Sequence, residues 1–62
     1  MLELTLKESN KSFLLDHKLV KSVTQSDEGI FVWIDLDREK PIGYLVKERF
    51  RDVARKLEEA DG

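Results

Sequence analysis

Alternating apolar and polar residues predict β-strands over most of the first 46 residues. Residues 2–6 show a period of two, which is typical of a strand with one buried face. After a polar reversal, segment 12–15 resumes the extended pattern with Phe13 and Leu15 on one face. We therefore expect these two segments to pair as a hairpin.

A bent or interrupted strand is expected after this hairpin. The polar stretch 16–18 breaks the alternation, and Asp16 is suited to cap a short turn before the apolar residues of 19–23. The clearest turn of the chain follows at 26–29, because Gly29 can supply positive φ just before a strongly β-prone run. The chain is thus predicted to reverse direction there.

Segment 30–36 is the strongest strand candidate, and both of its faces are apolar over most of their length. One face carries four aliphatic residues, Ile30, Val32, Ile34 and Leu36. The other face carries Phe31, Trp33 and Asp35. Both faces of a sheet built on such a strand must be buried against another part of the chain or against a partner.

The remaining segments complete an α+β domain over residues 1–60. A charged loop, 37–41, ends at Pro41, which suits a strand boundary because proline cannot donate to a ladder, and segment 42–46 forms the last strand. The period then changes to that of a helix of about three turns. Its apolar stripe consists of Phe50, Val53, Ala54 and Leu57. The predicted fold is a small four-stranded antiparallel sheet, as a meander or partial barrel, followed by one C-terminal α-helix.

The aromatic residues of this sheet are the first candidate site. A short helix covers one face of the sheet, so Phe31 and Trp33 would face outward, and Tyr44 would join them if its strand pairs in a compatible register. Such an exposed patch is unusual for a monomer. We expect Phe31, Trp33 and Tyr44 to form an interface between copies of the chain, with a dimer favoured. Alternatively, the sheet curls into a small barrel and these aromatics are ordinary core residues.

The composition describes a small globular domain without cysteine chemistry. The 62 residues are 40% hydrophobic and 39% charged, which excludes a disordered tail, and no apolar run approaches the roughly 20 residues that cross a bilayer. There is no cysteine and one histidine, so thiolate nucleophiles, disulfides and two-histidine metal sites are excluded. The acidic N-terminus lacks the positive charge of a secretory signal, and a cytoplasmic location is expected.

No catalytic residue, cofactor or metal ion is predicted. Asp16 and His17 are adjacent and can form an acid–base couple, but the chain assembles no nucleophile or oxyanion site to accompany them. Three carboxylates, those of Asp35, Asp37 and Glu39, lie at the end of the strongest strand and just beyond it. Interleaved basic residues neutralise them, and no glycine-bent loop surrounds an ion. The chain is therefore interpreted as non-enzymatic.

Basic residues are concentrated at the start of the predicted helix and along it. They are Lys47, Arg49, Arg51, Arg55 and Lys56. Together with the three aromatics they could bind single-stranded RNA by charge and base stacking. The formal net charge of −2 and the acidic residues of the same helix weaken this interpretation. RNA binding through the first four of these residues is kept as the alternative function.

Three short strings carry a family resemblance. They are Leu4-Thr5, the stretch FLLDHKLVKSV at 13–23, and Val46-Lys47-Glu48 with the residues that lead to Leu57. In these strings the chain resembles the flagellar FlbD/SwrD family of small bacterial proteins, which carries a Ser where this chain has Arg49. The resemblance implies a non-enzymatic accessory protein, linked to motility and acting through protein contacts.

A second resemblance is carried by the opening residues 1–5, the run 29–34, Pro41 and the C-terminal helix. In these features the chain is similar to the carbon storage regulator family, CsrA/RsmA, whose dimers bind RNA. Two hypotheses follow: a self-associating protein-interaction module of bacterial or phage origin, or an RNA-binding post-transcriptional regulator. They differ in salt dependence, because RNA binding weakens steeply as salt rises whereas apolar association holds or strengthens.

Overall fold

The computed structural model describes residues 1–35 and 40–61. In chain order the elements are β1 (Leu2–Thr5), β2 (Ser12–Leu15), a 3-10 turn (His17–Leu19), β3 (Val20–Ser26), β4 (Gly29–Ile34), β5 (Ile42–Val46) and α1 (Phe50–Asp61). The α+β class, the antiparallel pairing and the C-terminal helix are confirmed. The prediction of one four-stranded sheet is wrong, because five strands form a two-stranded sheet, β1-β2, and a three-stranded sheet, β3-β4-β5.

The additional strand arises where a bent or interrupted strand was expected. Asp16 caps the 3-10 turn, since its Oδ1 accepts a hydrogen bond from the Lys18 N–H at 3.0 Å. The turn separates β2 from β3, and the two strands then belong to different sheets. The cap is confirmed, and the extended chain is interrupted there rather than only bent.

Two connections contain residues with positive φ. Gly29 has a φ of +142° where the β3–β4 hairpin closes, which confirms the turn predicted there. Asn10 has a φ of 59° in the β1–β2 connection, and asparagine tolerates this region better than most residues. The Asn10 N–H donates to the Leu6 carbonyl at 3.0 Å, which closes the reversal between β1 and β2.

The core lies between the inner face of the three-stranded sheet and two covering elements, the β1–β2 hairpin and α1. The buried hydrophobic residues are Leu2, Leu4, Leu15, Ile30, Val32, Ile34, Val46 and Val53. Alternate residues of β4 are buried as the sequence pattern predicts. The core therefore takes side chains from both sheets and from the helix.

The helix packs through a stripe that overlaps the predicted one only in part. Val53 is fully buried, and Leu57 and Ala60 pack against the core. Phe50 remains 46% exposed, and Ala54 does not belong to the core cluster. The stripe was assigned from spacing alone, and spacing does not report how far along the helix the contact with the core begins. No described helix is long and apolar enough to cross a membrane.

The two sheets are joined where β1 ends. Leu6 forms an isolated antiparallel bridge with Val46, the Lys7 N–H donates to the carbonyl of Leu45 at 3.0 Å, and the Lys47 N–H donates to the carbonyl of Thr5 at 2.9 Å. The chain beyond β1 therefore runs beside the end of β5. This junction brings residues 5–7 next to residues 45–48, which are far away in the sequence.

The carboxylate of Glu48 holds the same junction. Its Oε1 accepts from the Thr5 N–H and its Oε2 accepts from the Thr5 hydroxyl, each at 3.0 Å. A carboxylate that accepts two hydrogen bonds from one residue fixes that residue in both position and orientation. Glu48 thereby ties β1 to the segment that leads into α1.

Replacing Glu48 by alanine is expected to lower the free energy of unfolding by about 1–2 kcal/mol, because the partly buried Thr5 N–H loses its acceptor. Urea unfolding monitored by circular dichroism measures the change. The matched control is Glu58→Ala, an exposed position of α1 without a hydrogen bond or ion pair to the described residues, where a change within about 0.5 kcal/mol is expected. Equal losses in the two variants would contradict the role given to Glu48.

Candidate functional site

Phe31 and Trp33 project from the outer face of the three-stranded sheet, away from the core. Across the sheet, Phe31 pairs with Thr24 and Leu45, and Trp33 pairs with Ser22 and Gly43. Residues directly opposite each other in antiparallel strands project from the same face. We call this surface the aromatic face; its residues are Ser22, Thr24, Phe31, Trp33, Gly43 and Leu45.

The two rings of the aromatic face are held in place by local contacts. Phe31 and Trp33 stack with ring centroids 5.7 Å apart and an interplanar angle of 29°. The indole Nε1 of Trp33 donates to the Thr24 hydroxyl at 2.9 Å. On its other side the indole lies over Gly43, so close that a Cβ at that position would be 2.7 Å from Trp33 Cζ3. Both rings are therefore half-buried and fixed in orientation before any partner binds.

Tyr44 lies on the opposite face, and the prediction that it joins Phe31 and Trp33 is wrong. It pairs with Val32, whose side chain is fully buried in the core. The Tyr44 ring packs against Phe13 of β2, with centroids 5.2 Å apart. A shift of one residue in strand register moves a side chain to the other face of a sheet, and the sequence alone did not specify that register.

A recess beside the aromatic face has an acidic rim. Its volume is about 490 Å³, and it lies between the sheet and the β1–β2 connection. Phe31 and Leu45 line one side, while Glu8 and Glu28 contribute to the lining. Carboxylates in this position disfavour the approach of a polyanion to the aromatic face.

The four basic residues considered for RNA contact are not assembled beside the aromatics. The Nζ of Lys47 donates to an asparagine in the β1–β2 connection, and Arg55 pairs with Asp52 of its own helix at 3.7 Å. Arg49 and Arg51 are exposed and have no ion pair with the described residues. The helix that carries Arg51 and Arg55 packs on the inner side of the sheet, opposite Phe31 and Trp33.

A separate cleft, not expected from the sequence, lies at the start of α1. Its volume is about 440 Å³, and its lining includes Lys7, Lys47, Arg49 and Phe50. We call it the basic cleft. Lys47 and Arg49 belong to the basic residues noted in the sequence. The junction between the two sheets brings Lys7 beside them, and no local sequence pattern predicts that contact.

The positions weighed for catalysis or metal binding do not form a site among the described residues. His17 Nδ1 is 3.8 Å from Asp16 Oδ1 and has no hydrogen-bond partner within residues 1–35 and 40–61. Asp37 and Glu39 lie outside the described residues, as does Leu36, so the carboxylate group that includes Asp35 is not described as a whole. Within residues 1–35 and 40–61, no group of three acidic, histidine or cysteine side chains is arranged to hold a metal ion.

No protein-family model, curated protein or solved structure matches this chain. The resemblances to the FlbD/SwrD and carbon storage regulator families therefore stay predictions.

Proposed function

We propose that this chain is a small non-enzymatic protein-interaction module that associates with a second copy of itself through the aromatic face. The observation that carries the proposal is a sheet face whose six named residues include Phe31 and Trp33 and carry no charge, in a chain of which 39% is charged. Interface centres are depleted in charged residues and enriched in Trp and Phe. The aromatic face has that composition.

A second copy fits this face better than a charged partner does. In a two-fold symmetric dimer the same patch meets itself, so a charge near the symmetry axis would face its own copy. Phe31, Trp33 and Leu45 supply the apolar centre, and the hydroxyls of Ser22 and Thr24 supply polar groups beside it. Such a face meets a copy of itself without opposing charges.

The size of the face sets the strength of association. Strands lie about 4.8 Å apart and rise about 3.4 Å per residue, so three short strands offer far less than the roughly 800 Å² per partner of a standard interface. We therefore expect a weak dimer in rapid exchange with the monomer. Its formation should hold or strengthen as salt rises, since apolar association does not depend on charge attraction and the acidic rim is screened.

RNA binding is less well supported by the same surfaces. Phe31 lines a recess to which Glu8 and Glu28 also contribute. The helix that carries Arg51 and Arg55 packs on the other side of the sheet. Binding of single-stranded nucleic acid by stacking requires a basic groove and aromatic side chains on one surface. Arg51 and Arg55 do not share a surface with Phe31 and Trp33.

The test of the proposal is solution mass as a function of concentration, from about 10 µM to about 500 µM, by sedimentation or light scattering. We expect the wild-type mass to rise towards that of a dimer. Ser22→Asp places a charge beside Trp33 without removing either ring, and it should stay monomeric throughout. The matched control, Ser12→Asp, makes the same change at an exposed position of β2 and should behave as the wild type does.

Circular dichroism of both variants establishes that each is folded. A wild-type chain that remains monomeric at the highest concentration would refute the proposal. So would a Ser22→Asp variant that dimerises as the control does.

A further inference from the structure

The basic cleft opens at the end of the sheet where β3 turns into β4. Its floor contains Gln25, Ile30 and Val46, which form one row across the three strands on their inner face. Val53 is the first buried residue of α1, one turn after the helix starts, and Ile30 and Val46 of the floor are themselves buried. Phe50 stands at the rim and is 46% exposed.

Three cations line the cleft, and none has a carboxylate partner among the described residues. Lys7 Nζ donates to the main-chain carbonyl of Glu28, and Lys47 Nζ donates to the side-chain amide oxygen of Asn10. Arg49 has no hydrogen bond or ion pair from its side chain within residues 1–35 and 40–61. The positive charge of the cleft is thus not neutralised by ion pairing with the described residues.

The single acidic residue in the lining is already engaged. Both carboxylate oxygens of Glu48 accept hydrogen bonds from Thr5. Three cations against this one carboxylate give the cleft a local charge of +2, whereas the whole chain has a net charge of −2. Positive charge concentrated in a concave site of an acidic protein is the arrangement expected for binding an anion of limited size.

The geometry points to a binding site for a small organic anion, one with a carboxylate or phosphate head and an apolar, flat body. Lys7, Lys47 and Arg49 would hold the head, and the body would rest against the Phe50 ring. A volume of about 440 Å³ lies within the range of small-molecule sites, roughly 300–1,000 Å³. The net negative charge of the chain disfavours a long polyanion in the same place. This inference does not depend on self-association, because the cleft shares no residue with the aromatic face.

The test uses phenyl phosphate as the probe and follows backbone amide signals by ¹H–¹⁵N NMR. We expect millimolar phenyl phosphate to shift the signals of Gly29, Lys47 and Phe50, and we expect the affinity to fall as salt rises. Arg49→Gln should weaken binding about threefold to tenfold. Arg51→Gln is the matched control, an exposed arginine of α1 outside the cleft lining, and should leave the affinity unchanged.

Two further probes separate the head of the ligand from its body. Phe50→Ala should weaken the binding of phenyl phosphate and leave the binding of inorganic phosphate unchanged. Neutral benzyl alcohol should not produce the amide shifts that phenyl phosphate produces. The proposal is overturned if phenyl phosphate causes no shift at the cleft, if benzyl alcohol binds equally well, or if Arg49→Gln and Arg51→Gln behave alike. Much tighter binding of a single-stranded oligonucleotide at the same residues would also overturn it, in favour of RNA.

Discussion

Replacing Leu4 by alanine is expected to remove most of the stability of this chain. Leu4 is fully buried in β1, opposite Phe13, in the hairpin that covers the three-stranded sheet. Truncating a buried leucine costs about 2–5 kcal/mol, through lost burial and the cavity that remains. A single core in a domain below about 70–80 residues rarely supplies more than about 3–5 kcal/mol. Urea unfolding followed by Trp33 fluorescence and circular dichroism should show an unfolded or barely folded variant.

Leu14→Ala is the matched control for this substitution. Leu14 lies in β2 of the same hairpin, and it is 66% exposed. The chemical change and the type of element are the same, and only the burial of the side chain differs. A loss within about 0.5 kcal/mol is expected for Leu14→Ala. Similar losses for the two leucines would contradict the assignment of the core to one face of the hairpin.

The positions of the strands and the helix could largely be predicted from the sequence, because hydrophobic periodicity reports which residues share a face. Alternation along 30–34 correctly separated the inward Ile30, Val32 and Ile34 from the outward Phe31 and Trp33. The division into two sheets could not be predicted in this way. It follows from the 3-10 turn at His17–Leu19, which separates β2 from β3, and periodicity does not report which strands then pair.

Candidate sites were harder to predict, since they depend on which distant segments meet. The pairing of β5 with β4 determines the face on which Tyr44 lies. A shift of this pairing by one residue would move the Tyr44 side chain from the core side to the aromatic face. The basic cleft needs the bridge between Leu6 and Val46, which places Lys7 beside residues that follow β5. No local pattern reports such a contact.

Gly43→Ala is expected to destabilise the chain by about 1–3 kcal/mol, the usual cost of forcing an extra carbon into a packed site. The new Cβ would lie 2.7 Å from Trp33 Cζ3 and 2.9 Å from Cε3, which are ring atoms and cannot bend away individually. The whole indole would have to move, which would break its hydrogen bond to Thr24 and its stacking on Phe31. Chemical unfolding measures the loss.

The effect of Gly43→Ala on the free energy of unfolding should change sign when the indole is removed, and this tests whether the indole causes the loss. In a Trp33→Val background the ring is absent, and Gly43→Ala should become neutral or stabilising, because glycine inside a strand costs roughly 0.5–1 kcal/mol relative to alanine. Gly29→Ala is the control: with a φ of +142° at Gly29, its cost should persist whether residue 33 is Trp or Val. If Gly43→Ala is equally harmful in both backgrounds, the contact with Trp33 is not its cause. A reversed sign would show that Gly43 is needed to let the indole lie flat across the sheet, which is the arrangement that gives the aromatic face its shape.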